Sequence, residues 1–229
     1  MDFSKLEKTL DYTFRDKNLL RESLTHRSYL NENPAWDVPQ NERLEFLGDA
    51  ALELVVTEEL FHRYPDYQEG ALTGLRAALV NYQILASIAR DMGLESFVLL
   101  SRGEAKDTGR AREVILANAI EAVIGALYLD GGYAVIKTIV NRFVMEHLEE
   151  VVRKGLFKDS KSALQERAQA DLRITPMYRV LKEEGPDHDK IFTIGVFFDD
   201  LFIAEGKGPS KQDAELMAAR AALRVKKWC

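Results

Sequence analysis

The amino-acid sequence predicts two domains, an all-α domain followed by a smaller α+β domain whose elements run in the order α-β-β-β-α. Between Phe3 and Val152 the apolar residues recur mostly at helical spacing. The charged stretch that follows interrupts this pattern, and beyond it strand-like apolar runs lie between two helical segments. We therefore expect the domains at 1–152 and 160–229, joined by a linker at 153–159.

The elements of each domain follow from local signals. In the first domain, turns are predicted at Asn33-Pro34, Pro65-Asp66, Met92-Gly93 and Gly131-Gly132. In the second domain, the two helices are predicted at 161–171 and 210–226, and the three strands at 177–183, 190–198 and 201–205. The dipeptide Asp199-Asp200 has the spacing of a tight hairpin between the last two strands.

The charge of the chain is unevenly distributed. The formal net charge is −6, with 19 basic and 26 acidic side chains in residues 1–159 and with 12 and 11 in residues 160–229. The acidic part could concentrate cations, although an acidic surface is more often only a solvated one. The chain has one cysteine, Cys229, which excludes an intrachain disulfide and a cysteine-based metal site.

The N-terminal sequence lacks the basic and apolar regions of a secretion signal. No uninterrupted apolar stretch reaches the roughly 20 residues that a membrane span needs. We therefore expect a cytoplasmic protein without a membrane partner.

The most informative helix is predicted in NERLEFLGDAALELVV. Apolar residues cover most of its circumference, so we expect it to be largely buried. Glu42, Glu45 and Asp49 nevertheless lie along one side of it. Carboxylates in an apolar setting shift their pKa or require a counter-charge. A bound cation, an ion pair with a basic residue such as Arg43, or a solvated stripe would each explain them.

A second largely apolar helix is predicted at 115–129. Apart from the Tyr128 hydroxyl, its strongly polar side chains are Asn118 and Glu121, which share one face. Two buried helices would then both present carboxylate or amide oxygens, the ligands that suit Mg²⁺, so metal binding becomes the better explanation. Gly48, which costs about 1 kcal/mol relative to alanine in a helix interior, indicates a close approach of backbone or substrate.

The residues of both helices match a known family. NERLEFLGD resembles the signature of ribonuclease III at nine consecutive positions. The similarity continues through LTHRSYLNEN, EGALTGLRAALVN and ILANAIEAVIGALYLD, and GKGPSKQDAELMAARAAL is similar to the end of a double-stranded-RNA-binding domain. The resemblance implies an all-α ribonuclease III endonuclease domain followed by an α+β double-stranded-RNA-binding domain.

The resemblance implies a divalent-metal site. Its ligands would be Glu45, Asn118 and Glu121, and Asp49 and Glu121 would be catalytic. The metal would be Mg²⁺, with Mn²⁺ as a substitute. Many family members have Asp where this chain has Asn118. An amide oxygen can still coordinate Mg²⁺, but it has no charge and accepts no proton, so we expect activity with an altered metal affinity.

The resemblance also implies a homodimer in which two sites lie in one cleft and each cuts one RNA strand. Phe46 matches a dimer contact, and Glu42 and Glu69 match acidic positions that support substrate handling or assembly. The products would have 5′-phosphate and 3′-hydroxyl ends with a short 3′ overhang. The substrates would be precursors of ribosomal RNA and some precursors of messenger and transfer RNA.

Three other residues have more than one interpretation. His26, in LTHRSY, is expected to have a core or capping role rather than a catalytic one. Arg110 and Arg112 lie in a loop predicted before the second apolar helix. They would either contact phosphate or be solvated.

The C-terminal module is expected to bind about 16 base pairs of RNA across successive grooves. The contacts would come from Lys211 and Lys207, from Gln165 on the first helix, and from His188 in the loop after the first strand. Gln212 stands where the motif usually has a second lysine. Fewer charges predict weaker and less salt-sensitive binding.

Two other functions are compatible with part of the sequence. The first is a catalytically weakened double-stranded-RNA-binding protein, which Asn118 favours and the remaining acidic residues disfavour. The second is a metal-dependent phosphohydrolase of small nucleotides. That function would leave the C-terminal module unexplained.

Overall fold

The structure is a computed structural model that describes residues 2–154, 160–186 and 190–228. It divides into two compact units, Met1–Phe157 and Lys158–Cys229. The first unit is helical, and the second combines two helices with one sheet. The predicted fold class is therefore confirmed. Part of the predicted linker, residues 155–159, lies outside the described residues.

The first unit is built around two long helices of 22 residues each, α4 and α7. In chain order its α-helices are α1 (Ser4–Leu10), α2 (Lys17–Ser23), α3 (Arg27–Glu32), α4 (Glu42–Arg63), α5 (Glu69–Leu79), α6 (Tyr82–Asp91), α7 (Arg110–Gly131), α8 (Tyr133–Phe143) and α9 (Leu148–Lys154). Single 3-10 turns occur at Leu94–Ser96, Glu104–Lys106 and Met145–His147.

Helix α7 is the centre of the core. Twelve of its residues are buried, on most sides of the helix. Fully burying an aliphatic side chain contributes about 1.5–3 kcal/mol, so this helix is a main source of the unit's stability. By length and composition, α7 is also the one helix within the described ranges that could cross a membrane, and 61% of its apolar window is buried.

Helices α4 and α7 cross with their backbones in direct contact. A Cβ atom at Gly48 of α4 would lie 1.8 Å from the carbonyl oxygen of Glu121. A Cβ atom at Gly125 of α7 would lie 2.2 Å from the carbonyl oxygen of Leu44. Neither position can carry a side chain unless the helices move apart. The close backbone approach predicted at Gly48 is thus confirmed, and it sets the distance between the polar faces of the two helices.

His26 caps α3, because its Nδ1 accepts a hydrogen bond from the backbone N–H of Ser28 at 3.3 Å. Burial lowers the pKa of His26, which favours the neutral ring that such an acceptor requires. The predicted capping role is confirmed. The loop predicted around Arg112 was wrong, because α7 already begins at Arg110. Arg112 is buried there and donates from Nε to Glu95 at 3.0 Å.

The second unit is a three-stranded antiparallel sheet with two helices, in the predicted order α-β-β-β-α. Its elements are α10 (Ser160–Leu172), β1 (Met177–Glu184), β2 (Ile191–Phe198), β3 (Leu201–Gly208) and α11 (Lys211–Val225). The strands pair in the order β1-β2-β3. The tight turn predicted at Asp199-Asp200 joins β2 to β3, with Asp199 at a φ of 53°.

Helix α11 packs directly on β3. A Cβ atom at Gly206 would lie 2.1 Å from the backbone nitrogen of Ala218, and one at Gly208 would lie 2.7 Å from that of Ala214. These two glycines therefore face the helix. Because side chains alternate along a strand, Glu205 and Lys207 face the opposite side of the sheet. Lys207 therefore does not lie beside the start of α11.

Candidate active site and RNA-binding surface

The crossing of α4 and α7 brings four predicted site residues together. Glu45 and Asp49 lie on α4, on either side of the contact glycine, and Asn118 and Glu121 lie on the facing part of α7. Glu45, Asn118 and Glu121 are partly buried, whereas Asp49 is exposed. The Asn118 amide lies near the Glu45 carboxylate and lowers its pKa by interacting with it. We call these four residues the acidic cluster.

The acidic cluster carries uncompensated negative charge. Burial, together with the charges of Asp49, Glu45 and Glu53, raises the pKa of Glu121 to about 8. Burial also raises the pKa of Glu45, with a further rise from Glu42 that the Asn118 amide opposes. Each group that acts on Glu121 raises its pKa. Without a cation, Glu121 therefore retains a proton at neutral pH.

The donor set fits a hard divalent cation. Carboxylate and amide oxygens are its usual protein ligands, and a cation would offset the charge that raises the pKa of Glu121. Among the described residues, no group of three or more His, Cys, Asp or Glu side chains could hold a metal ion by itself. Mg²⁺ commonly takes only one or two protein carboxylates and completes its coordination with water and phosphate oxygens, so an open cluster suits it.

The two supporting acidic residues lie at helix starts. Glu42 is the first residue of α4, and its carboxylate is 3.7 Å from Arg27 Nη1. This ion pair differs from the pair with Arg43 that the sequence left open. Glu69 is the exposed first residue of α5. It is not among the groups that act on Glu45 or Glu121.

Sequence reasoning missed Glu53. It lies on α4 one turn after Asp49, and its charge contributes to the raised pKa of Glu121. Arg76 of α5 lies 3.9 Å from the Glu53 carboxylate and donates to the Thr57 hydroxyl at 3.1 Å. The available signal was the spacing of four residues from Asp49, which continues the acidic stripe by one helical turn.

Phe46 lies on a different side of α4, and it is 81% exposed. Leu54 and Phe61 follow it at intervals of eight and seven residues and are also exposed. At 3.6 residues per turn these side chains share one helix face, so α4 presents an apolar stripe to solvent. Contiguous exposed apolar surface of this kind is typical of an interaction site.

The predicted RNA-binding residues do not all lie on one face. Gln165 is exposed on α10, and Lys211 is the exposed first residue of α11, whose N-cap is Ser210. Lys207 lies on the sheet face that points away from α11. His188 lies outside the described residues.

Comparisons with known proteins identify both units. Residues 16–148 match the family model described as ribonuclease-III-like, and residues 160–226 match the double-stranded RNA binding motif. A Ribonuclease 3 from Sulfurovum sp. is 46% identical over 226 residues, which are 99% of each chain. A Ribonuclease 3 from Syntrophobacter fumaroxidans is 44% identical over 224 residues, covering 96% of this chain and 93% of that protein.

A solved structure resembles the first unit. The nuclease domain of ribonuclease III from Campylobacter jejuni is 46% identical in sequence, and its TM-score is 0.58. The match covers 63% of this chain and 97% of the Campylobacter jejuni chain. The two matched family models define a ribonuclease-III-like domain joined to a domain that binds double-stranded RNA. Together with the relatives, these family models show that the chain belongs to the ribonuclease III family. It is accordingly an endoribonuclease that acts on double-stranded RNA.

Proposed function

We propose that the protein is a Mg²⁺-dependent endonuclease that hydrolyses both strands of duplex RNA. Its products carry 5′-phosphate and 3′-hydroxyl ends with a short 3′ overhang. The observation that carries the proposal is the glycine-mediated crossing of α4 and α7, which brings Glu45, Asp49, Asn118 and Glu121 into one cluster. Mn²⁺ is expected to replace Mg²⁺, since both accept oxygen ligands.

In this proposal Glu45, Asn118 and Glu121 hold the cation. A bound divalent cation lowers the pKa of a coordinated water and stabilises the charge that develops on the phosphate and on the leaving 3′ oxygen. The Asn118 amide N–H groups would face the Glu45 carboxylate, whose pKa they lower, and its carbonyl oxygen would be the ligand. Glu121 would hold the cation as a carboxylate, since a positive charge beside it would lower its raised pKa.

Asp49 has a different place in the cluster. Its side chain is exposed, whereas the other three cluster residues are partly buried. Its carboxylate oxygens are therefore open to solvent and to an approaching phosphodiester. We assign to Asp49 the positioning of water at the reacting phosphate through hydrogen bonds to its carboxylate.

We further propose that the protein acts as a homodimer through the exposed apolar stripe of α4, with Phe46 as a central contact. The high exposure of Phe46 supports this proposal, as does the Campylobacter jejuni nuclease domain, whose structural description concerns a region involved in dimer formation. In a dimer, two acidic clusters can act on the two RNA strands. A single cluster would act on one strand at a time.

The proposed substrates are precursors of ribosomal RNA, with some messenger and transfer RNA precursors, and the proposed location is the cytoplasm without a membrane partner. Membership of the ribonuclease III family supports these proposals. Sequencing of RNA ends from cells with and without the protein tests them. Loss of the ends that flank precursor stems supports the proposed substrates, and unchanged precursors contradict them.

Cleavage of a long RNA duplex in Mg²⁺ and in EDTA tests the proposed activity. The wild type should cut in Mg²⁺ alone, and Glu121→Gln should leave the duplex intact while still shifting it in a gel. The matched control is Glu113→Gln, near the start of the same helix, which should cut normally. A wild type that binds the duplex and never cuts it would favour the weakened RNA-binding protein, with Asn118 as the first residue to replace.

A further inference from the structure

One acidic side chain of the second unit contacts two lysines, one at the start of α11 and one just before β2. Glu183 lies near the end of β1, and its carboxylate is 3.4 Å from the Nζ of Lys211 and 3.8 Å from the Nζ of Lys190. The Nζ of Lys211 also lies 5.6 Å from the centre of the Phe192 ring. Phe192 and Glu183 are cross-strand partners. The four side chains form one cluster, which we call the Glu183 cluster.

The Glu183 cluster lies on the helix side of the sheet. Phe192 has the same parity along β2 as the buried core residues Val196 and Phe198, so its side chain faces the helices. A cross-strand partner shares that face, which places Glu183 beside the first turn of α11. This is the end of the unit where a double-stranded-RNA-binding domain meets phosphates across the RNA major groove.

Lys211 is therefore both the predicted phosphate contact and the partner of a carboxylate. An RNA phosphate that approaches Lys211 has to compete with Glu183 for the ammonium group, and it also meets the negative charge of Glu183. The same holds for Lys190, which lies immediately before β2. Because Gln212 stands in place of a second lysine, little positive charge remains at the start of α11.

We propose that Glu183 partly neutralises the RNA-binding surface by holding Lys190 and Lys211, and thereby sets a low affinity and a weak salt dependence for duplex RNA. This inference rests on the proposed binding of double-stranded RNA by the second unit and identifies a residue that tunes it. A weakly bound duplex is released readily. Selection among duplexes then depends more on the first unit.

The size of the effect follows from the exposure of the pairs. Exposed ion pairs of this kind contribute about 0.2–1 kcal/mol. Because 1.4 kcal/mol corresponds to a factor of ten, Glu183→Gln should bind duplex RNA about 1.4- to fivefold more tightly. The plot of log affinity against log salt should become steeper by about one, since one more lysine is available as a phosphate counter-charge.

The test measures binding of the full-length protein to a fluorescent RNA duplex of about 20 base pairs, longer than the roughly 16 that such a domain spans. EDTA is present so that the RNA is not cut, and KCl is varied from about 50 to 300 mM. The variants are Glu183→Gln, Lys211→Ala and the double substitution. Glu205→Gln is the matched control, because it makes the same charge change on the exposed face of β3 that points away from α11.

Tighter and more salt-sensitive binding by Glu183→Gln, with no change for Glu205→Gln and a smaller gain in the Lys211→Ala background, supports the inference. Unchanged or weaker binding by Glu183→Gln overturns it, provided that circular dichroism shows a folded protein. Equal gains from Glu183→Gln and Glu205→Gln also overturn it, since net charge alone would then explain the effect. A wild type that binds no duplex even at low salt would instead contradict the proposed RNA-binding function, and this inference with it.

Discussion

Removing the charge of Glu121 should stabilise the first unit when no metal is bound. The fold raises the pKa of Glu121 from 4.5 to about 8, through burial and through the charges of Asp49, Glu45 and Glu53. One pKa unit corresponds to 1.36 kcal/mol, so the ionised form costs the folded state about 5 kcal/mol when fully developed. At pH 7 the cost is about 3 kcal/mol, and the part of the carboxyl that stays in contact with solvent reduces it to about 2–3 kcal/mol.

The sign of the pH dependence is the reverse of that for an ion-paired carboxylate. Between pH 4.5 and pH 8 the folded state binds more protons at Glu121 than the unfolded state does. This contribution to stability therefore falls as the pH rises through that window and is fully lost above about pH 8. Glu121→Gln has no such titration. The stability difference between the variant and the wild type should grow from near zero at pH 4.5 to its full value above pH 8.

Urea unfolding in EDTA measures this difference. The chain has two tryptophans, and Trp36 lies in the first unit, where its Nε1 donates to Thr25 Oγ1 at 3.2 Å. Trp228 belongs to the second unit and stacks on Phe198 with ring centres 5.8 Å apart. When the wild type and every variant also carry Trp228→Phe, the remaining tryptophan fluorescence comes from Trp36 and reports on the first unit alone. Glu113→Gln, which removes only a surface ion pair with Arg90, should change stability by less than about 1 kcal/mol.

A constant difference between Glu121→Gln and the wild type from pH 5 to pH 8.5 would refute this reasoning. A less stable variant at pH 8 would refute it as well. Either result would mean that Glu121 ionises without cost in the folded state, and the electrostatic case for a cation site would then be lost.

Three other substitutions test separate parts of the account. Gly48→Ala should destabilise the first unit by at least about 3 kcal/mol in urea unfolding, because its Cβ would lie 1.8 Å from a backbone oxygen of α7. Gly70→Ala, whose Cβ would meet no side chain and no other part of the fold, should be neutral or stabilising by about 0.5 kcal/mol. Equal effects of the two substitutions would contradict the crossing. Asn118→Asp adds a negative charge and replaces the amide beside Glu45, so the Mg²⁺ concentration that gives half-maximal cleavage above pH 8 should fall about threefold or more. An unchanged Mg²⁺ requirement together with an unchanged cleavage rate would exclude a role for Asn118 in the cluster. Phe46→Lys should give a folded monomer in sedimentation velocity, since the side chain is 81% exposed, and a dimer that persists would exclude Phe46 as a central contact.

The strands could be predicted from the alternation of polar and apolar side chains. The end of the third strand could not, for a physical reason. The third strand was predicted to end at Glu205, but β3 continues to Gly208. Gly206 and Gly208 carry no side chain and so give no alternation to recognise. They are glycines because α11 lies against their backbone, a long-range contact that local sequence does not show.

The start of α7 was missed for a related reason. Its first turn is polar, and polar residues before an apolar run are typical of a loop. Arg112 is buried there because Glu95, far away in the chain, accepts its hydrogen bond. A charged side chain with a distant partner cannot be distinguished from a solvated one by local pattern.

The acidic cluster was predictable because helical spacing places Glu45 and Asp49 on one side of α4 and Asn118 and Glu121 on one face of α7. That the two sets meet depends on the backbone contact at Gly48, which the sequence indicated without naming the partner. The pairing of Glu183 with two lysines was not predictable. It depends on strand register and on the position at which α11 meets the sheet.

The most direct test of the cation site is calorimetric titration of the metal-free protein with Mn²⁺ at pH 7, in buffers of different ionisation enthalpy. The dependence on the buffer gives the number of protons released per cation. We predict binding with release of about one proton, and weaker binding with little or no release in Glu121→Gln, because the wild-type Glu121 is protonated at pH 7 until a cation binds. Binding without proton release, or release that persists in Glu121→Gln, would contradict a cation site built on the acidic cluster.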